Sequence, residues 1–307
     1  MNPRLKLHHL RDFVAIAQHQ SVRAAARALG LAQPALTRSL RELERELQAS
    51  LVERHARGVV LTAIGKRFLQ RAQSAVEEVR RAGEEVAQLG GATGGTVAAA
   101  LSSAAMLALL PQAIVAFRAS HPGIDLRLIE GVFPTAEPRL LDGQLDFYVG
   151  PAPDKLPREL RSELYFKNER VVVARLGHPL LGVRSLKALV KAEWILTGLR
   201  ERTEQEFEEL FSAYKLPAPS ARLRVESTMG LLSIISHTDA VALLPKQWTD
   251  APMFKHALAP IPVREKLLAP DIVMIARAGV PLTPAAEHFA LLLQRAAGKS
   301  HSSPSLI

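Results

Sequence analysis

The sequence predicts an α/β protein in unequal parts: a small basic all-α domain with a winged helix-turn-helix, a long linker helix, and a larger α/β domain. Three observations predict it. Apolar residues recur at helical spacing through the opening segment, a glycine-rich break interrupts the chain at residues 90–95, and beyond it short apolar runs alternate with helical patterns. Alternation of that kind predicts a parallel sheet covered on both faces.

Composition narrows the function classes. With 307 residues, 48% of them hydrophobic, the chain can build one large or two to three ordinary domains. No run of about eighteen uncharged apolar residues occurs, the length a membrane-spanning helix needs. The N-terminus has no apolar core or small-residue cleavage site of the secretory kind, so the cytoplasm is the expected compartment. Cysteine is absent, which excludes disulfides, thiol catalysis and thiolate metal sites. The net charge of +9 is unevenly placed. Residues 1–71 hold 13 Lys and Arg against 5 Asp and Glu, whereas residues 91–307 hold 24 against 21. A basic first quarter favours a polyanion, although a solvated basic face would look the same by charge alone.

Shape separates those readings. Leu7, Leu10, Phe13, Val14 and Ala17 mark a first amphipathic helix. Ser21 stands as N-cap before Val22, Ala25, Ala26 and Leu29, and Gly30 suits the left-handed position that closes this second helix. Pro34 opens a third, where its missing N–H costs nothing, and Leu36, Leu40, Leu43 and Leu47 form its buried stripe. The turn between them is too short for side-by-side antiparallel packing and reads as helix-turn-helix. The other face of the third helix carries Gln33, Thr37, Arg38, Arg41 and Arg45. Gln can pair with adenine, Arg with guanine or phosphate, and Thr with a base edge or phosphate. Taken alone, such a face is more often a solvated surface with i, i+4 ion pairs. Glu42, Glu44 and Glu46 crowd the far end, so phosphate contact should fall off beyond Arg41.

Residues 51–54 and 59–61 read as a small hairpin, or wing, with Arg54 and Arg57 placed to touch the DNA backbone. Thr62 caps a long helix to about Leu89 whose seam is Leu69, Ala72, Val76, Val79, Gly83 and Val86. Spacings of three and four along small residues suit close pairing of two such helices. After the break, strands are expected at 96–101, 124–129, 145–149, 170–174, 194–196, 223–226, 240–244 and 272–276. Helices are expected at 106–119, 135–142, 201–214, 229–236 and 285–296, with a disordered tail from 299 to 307.

The run Ser21-Val22-Arg23-Ala24-Ala25-Ala26-Arg27-Ala28-Leu29, followed by Gln33-Pro34-Ala35-Leu36-Thr37-Arg38-Ser39-Leu40 and Leu43-Glu44, resembles the winged helix-turn-helix of LysR-type transcriptional regulators. Leu51, Arg54, Arg57, Leu61-Thr62 and Gly65 resemble that family's wing and linker start. The match departs at Val52, where the family usually has Phe, and at Ile64, where Ala is common; both keep an apolar group. The resemblance is strong over about the first 66 residues and looser beyond. It implies a DNA-binding domain over 1–61 with contacts from Ser21, Arg23, Gln33, Pro34, Thr37, Arg38, Arg41, Arg54 and Arg57, and a linker helix over 62–90. It also implies an effector domain over 91–300, two-lobed like a periplasmic binding protein. The lobes would span 94–163 with 268–300, and 164–267, joined by crossovers near 161–166 and 266–270. The partners implied are double-stranded DNA, an inducer in the cleft, further copies of the chain (a dimer through the linker helix, and a tetramer), and RNA polymerase.

Ligands of open α/β sheets bind at strand carboxyl ends, often at helix N-termini whose free N–H groups favour anions. Ser102 and Ser103, Thr197 and Gly198, and Ser227 and Thr228 occupy three such ends, and Phe133 and Tyr148 could wall the site. Plain N-capping is the commoner role for any one hydroxyl, and core packing for either ring. Their recurrence predicts a small organic acid as effector, aromatic acids included, with no resident cofactor or metal. Two rivals remain. An enzyme lacks a recognisable constellation: His8 and His9 are adjacent and face apart, His178 has no acidic neighbour, and residues 90–95 resemble a phosphate loop without its Lys-Ser/Thr. A solute-binding transport protein fits the two lobes but not the basic N-terminal domain.

Overall fold

The computed structural model of the chain describes residues 5–55, 58–197 and 200–300. Helices α1 (Leu7–His19), α2 (Val22–Ala28) and α3 (Gln33–Leu47) close around Phe13, Ile16, Ala25, Leu36, Leu40, Leu43 and Leu51, all fully buried. The Ser21 hydroxyl accepts from the Ala24 N–H at 3.3 Å. Gly30 has φ +65°, and beyond it the Leu31 N–H returns to the Ala26 carbonyl at 2.9 Å, a closure that needs a residue free to turn left-handed.

Strands β1 (Val52–His55) and β2 (Gly58–Leu61) pair antiparallel as the expected wing. The wing is pinned once to the end of α1 and closed once at its own base. Val59 N–H donates to the Gln20 carbonyl at 2.9 Å, and Thr62 N–H to the Leu51 carbonyl at 3.0 Å. Helix α4 (Ala63–Leu89) then leaves the domain, its start capped by Thr62 Oγ1 accepting from Gly65 N–H at 2.9 Å. In the expected seam Ala72 is buried, but Val79 and Val86 are 52% and 71% exposed, so the upper seam has no cover among the described residues.

Beyond α4 lie two five-stranded sheets. The first has the order β4 (Ile124–Glu130), β3 (Gly95–Leu101), β5 (Phe147–Pro151), β12 (Ile272–Arg277), β6 (Leu160–Phe166). Packed on it are α5 (Ser103–Ala108), α6 (Leu110–Ser120), α7 (Phe133–Leu141) and α11 (Pro284–Ser300). The second has the order β11 (Leu258–Ile261), β7 (Arg170–Arg175), β10 (Ala240–Pro245), β8 (Glu193–Thr197), β9 (Leu223–Val225), with α8 (Arg200–Ala213), α9 (Thr228–His237) and α10 (Gln247–Asp250).

Four expectations need correction. The sheets are mixed rather than parallel: β12 runs against β5 and β6, and β7 against β10 and β11. The reason is topological, because a strand that arrives from the other lobe enters its sheet at the cleft end and must run away from it. Residues 161–166 are strand, not crossover; the chain crosses at 167–169 and returns at 262–271, and a single bridge between Glu169 and Leu268 ties the two passages. The helix expected at 106–119 is two, broken at Leu109, because Pro111 in the first turn of α6 has no N–H to continue the ladder. Lys299 and Ser300, assigned to the tail, end α11, while the rest of that tail lies outside the described residues. Strand β11 went unseen because it is short and carries Pro260, which the edge position accommodates.

Candidate DNA-binding face and ligand cleft

On α3 the apolar stripe turns Gln33, Pro34, Arg38 and Arg41 into solvent, with Thr37 half-buried, and these five line one shallow concavity. Arg23 is exposed in the first turn of α2, beside the capping Ser21. Arg54 lies in β1. Arg57 lies outside the described residues.

The acidic residues of α3 do not simply crowd its far end. Glu44 turns inward, its Oε1 accepting from Leu51 N–H at 2.8 Å and Val52 N–H at 3.2 Å. Glu42 Oε2 lies 3.4 Å from Nε2 of the buried His9, and Glu46 sits beside Arg45 at 3.8 Å. Two of the three carboxylates are therefore committed to the domain, which leaves the exposed face net basic. Sequence spacing hid this, because Glu44 reaches the first strand only through the turn that follows α3.

Two predictions arise here. Glu44→Ala leaves two N–H groups of buried residues without acceptors, and denaturation should show a loss of about 1–3 kcal/mol. His9 is held below the ordinary histidine value of 6.5, chiefly by burial, then by His8, with Glu42 pulling the other way. A depressed histidine favours the folded state fully above its unfolded value, and that contribution is lost as pH falls through the folded value. Thermal melts of the wild type should therefore decline below about pH 6.5, and Glu42→Gln should decline from the same pH but further, since removing the partner lowers the folded value more.

The second site lies where both sheets present their strand ends. A cavity of about 590 Å³ is lined by Ser102, Ser103, Phe133, Tyr148, Thr197, Ser227 and Thr228 among others. Gly198 lies outside the described residues. Several of these side chains also serve the fold. Ser102 Oγ accepts from Ala105 N–H at 3.3 Å and Ser227 Oγ from Gly230 N–H at 3.2 Å, both as helix caps. Phe133 and Tyr148 are buried and pack edge-on at 5.9 Å. A Cβ at Gly150 would stand 2.1 Å from the Tyr148 hydroxyl, so glycine there makes room for the ring to reach the cavity.

The structure adds residues that the strand-end argument missed. Thr228 donates to Glu130 across the cleft, joining the lobes. Arg170 pairs with Glu206. Asn168 and Trp248 line the same space, and Asn168 Oδ1 and Trp248 Nε1 are buried with no hydrogen bond. Asn168 could have been found only by placing the crossover correctly. No group of three metal-ligating side chains occurs among the described residues, and no described helix is long and apolar enough to cross a membrane.

Comparison with known proteins bears on both sites. Residues 7–66 match the family described as bacterial regulatory helix-turn-helix protein, lysR family, and residues 90–298 the LysR substrate binding domain. The HTH-type transcriptional regulator GbpR of Azospirillum brasilense is 31% identical over 80% of this chain and 73% of its own length. The regulator PcaQ of Agrobacterium fabrum is 29% identical over 86% of each. Among solved structures, CbnR, a LysR family transcriptional regulator, superimposes with a TM-score of 0.71 over 95% of this chain and 99% of that one at 21% identity. Full-length CbnR complexed with target DNA gives 0.69, with 95% and 100% covered at the same identity. At that identity the likeness carries the fold alone. With family matches over both parts of the chain, the protein is a member of the LysR family of transcriptional regulators, built from a helix-turn-helix DNA-binding domain and a two-sheet α/β substrate-binding domain.

Proposed function

We propose that the protein reads a partly palindromic operator with the face of α3 that begins at Gln33, and answers to a small molecule held between its two lobes. The observation that carries this is the sorting of charge on α3: Arg38 and Arg41 face solvent while Glu44 is bonded inward and Glu42 lies against the buried His9. Gln33, Thr37, Arg38 and Arg41 supply base and phosphate contacts, and Ser21, Arg23, Pro34, Arg54 and Arg57 flank them. Units over 1–61, 62–90 and 91–300 divide the work. The uncovered part of α4 at Val79 and Val86 supports pairing of two linker helices, and thence a tetramer. RNA polymerase is the partner through which a bound regulator acts, in the cytoplasm, by binding rather than catalysis.

The effector meets the hydroxyls of Ser102, Ser103, Thr197, Ser227 and Thr228, the backbone at Gly198, and the rings of Phe133 and Tyr148. The N-termini of α7 and α9 open on the cavity and support an acidic group on the ligand, hence a small organic acid. Glu130 and Glu226 in the same lining call for hydrogen-bond donors elsewhere on that molecule. Genomic fragments selected on the purified protein provide the operator, and a thermal-shift screen provides the effector. Ser102→Ala should then leave operator affinity unchanged while blunting the effector response. An equal response in variant and parent removes Ser102 from the pocket.

A further inference from the structure

Helix α4 carries a second seam that the apolar pattern conceals. Arg71, Ser74, Glu78, Arg81 and Gln88 share one face at spacings of three, four and seven, and this polar face lies against the first lobe. Burial raises the Asp142 carboxyl, and Arg71 and Ser74 pull it back down. Glu78 pairs with Arg277 at 3.0 Å, and Gln88 bridges Ala285 N–H at 3.1 Å and the Gly94 carbonyl at 3.2 Å. The centre of the seam is Arg81, whose Nη2 donates to the Gly143 carbonyl at 2.5 Å and lies 3.1 Å from Asp146 Oδ1. The side chains of Arg81 and Asp146 are only 8% and 3% exposed.

Asp146 is bound on its other side to the sheet. Its Oδ2 accepts from Ala98 N–H at 2.7 Å, and its own N–H donates to the Ala98 carbonyl at 2.7 Å. The carboxylate thus spans the linker helix, β3 and the entry to β5. Both strands end in the cavity: Tyr148 stands two residues beyond Asp146, and Ser102 four beyond Ala98. At roughly 3.3 Å per residue, Tyr148 lies about 7 Å along the chain from Asp146, and Ser102 about 13 Å along β3 from Ala98. Burial disfavours the ionised form of each partner, lowering Arg81 and raising Asp146, so each is kept charged largely by the other. Such a pair holds only while its geometry is good, and a small relative shift of β3 and β5 weakens it steeply. A purely cohesive contact would be served as well by leucines.

We infer that Arg81 is a positioning residue for the ligand response: through Asp146 it senses the register of β3 and β5 below the cavity and sets how the linker helix docks. This rests on the reading of the cavity as the effector site. Coupling between two sites is reciprocal, so it can be measured from either end without DNA or effector. Amide hydrogen exchange on the full-length Arg81→Met protein should speed up about fivefold or more in peptides covering residues 96–102 and 147–151, the lower end of ordinary site-to-site coupling. The second-lobe strand at residues 193–197 should be unchanged, and Arg81→Lys should restore most of the protection. In the other direction, Tyr148→Phe should alter exchange within residues 78–89, and that variant alone decides the matter if Arg81→Met does not fold. Changes confined to α4 and residues 142–146 in Arg81→Met, or an unaltered α4 in Tyr148→Phe, overturn the inference. Neither readout depends on DNA binding, so a failed operator selection would count against the regulator reading and leave this test standing.

Discussion

Gly65→Ala should destabilise the DNA-binding domain by about 3 kcal/mol, at the upper end of what overpacking costs. A Cβ at Gly65 would lie 2.0 Å from the Leu51 carbonyl oxygen, 2.9 Å from its carbon and 3.2 Å from its Cα. All three are backbone atoms, which cannot swing aside as a side chain does. They are held in place because Leu51 N–H bonds to Glu44 and the Leu51 carbonyl accepts from Thr62 N–H. The first turn of α4 and the start of the wing are therefore one packed joint. Gly298→Ala is the control: an added Cβ meets nothing within 4 Å, and the change should raise stability by up to about 1 kcal/mol through helix propensity. Denaturant titration of both variants, Gly65→Ala reporting on the DNA-binding domain and Gly298→Ala on the first lobe, separates the two outcomes. A Gly65→Ala protein as stable as the parent would show that this joint is looser than described.

The second large effect concerns DNA. Arg38→Ala should weaken operator binding by about 1–3 kcal/mol, the worth of a bidentate contact to a base, and Arg41→Ala should reduce the salt slope by about one unit if it meets phosphate. Arg38→Ala should lose far more on the operator than on random duplex. Equal losses on both would make Arg38 a phosphate contact and move base reading to Gln33 and Thr37. Neither substitution should alter the melting temperature much, because both side chains face solvent.

The helices of the first domain were legible because each is written locally: a cap at Ser21, a left-handed stop at Gly30, a proline opening at Pro34, and leucines at helical spacing. The alternating strands were legible for the same reason. What escaped depends on where the chain goes next. The direction of β7 and β12 follows from the lobe the chain arrives from, and no local pattern encodes it. The inward turn of Glu44, the Thr228–Glu130 bond across the cleft and the Arg81–Asp146 pair each join residues distant in sequence. Strand ends pointed to Ser102, Thr197 and Ser227 by a general rule of open sheets, yet the same rule is silent on Asn168 and Trp248, which reach the cavity from a crossover and a short helix. The polar seam of α4 is present in the spacing of Arg71, Ser74, Glu78 and Arg81, but polar residues at helical spacing are the ordinary pattern of a solvated face, and only the fold brings them against the first lobe.

Titration of operator duplex with full-length protein across a range of salt concentrations tests the central claim most directly. Arginines exposed on α3, with Glu44 turned inward, predict a Kd of about 10 nM or tighter near physiological salt and an affinity that falls steeply as salt rises. Binding that is absent at low ionic strength, or that keeps its full strength in the Arg38→Ala, Arg41→Ala double variant, would contradict it.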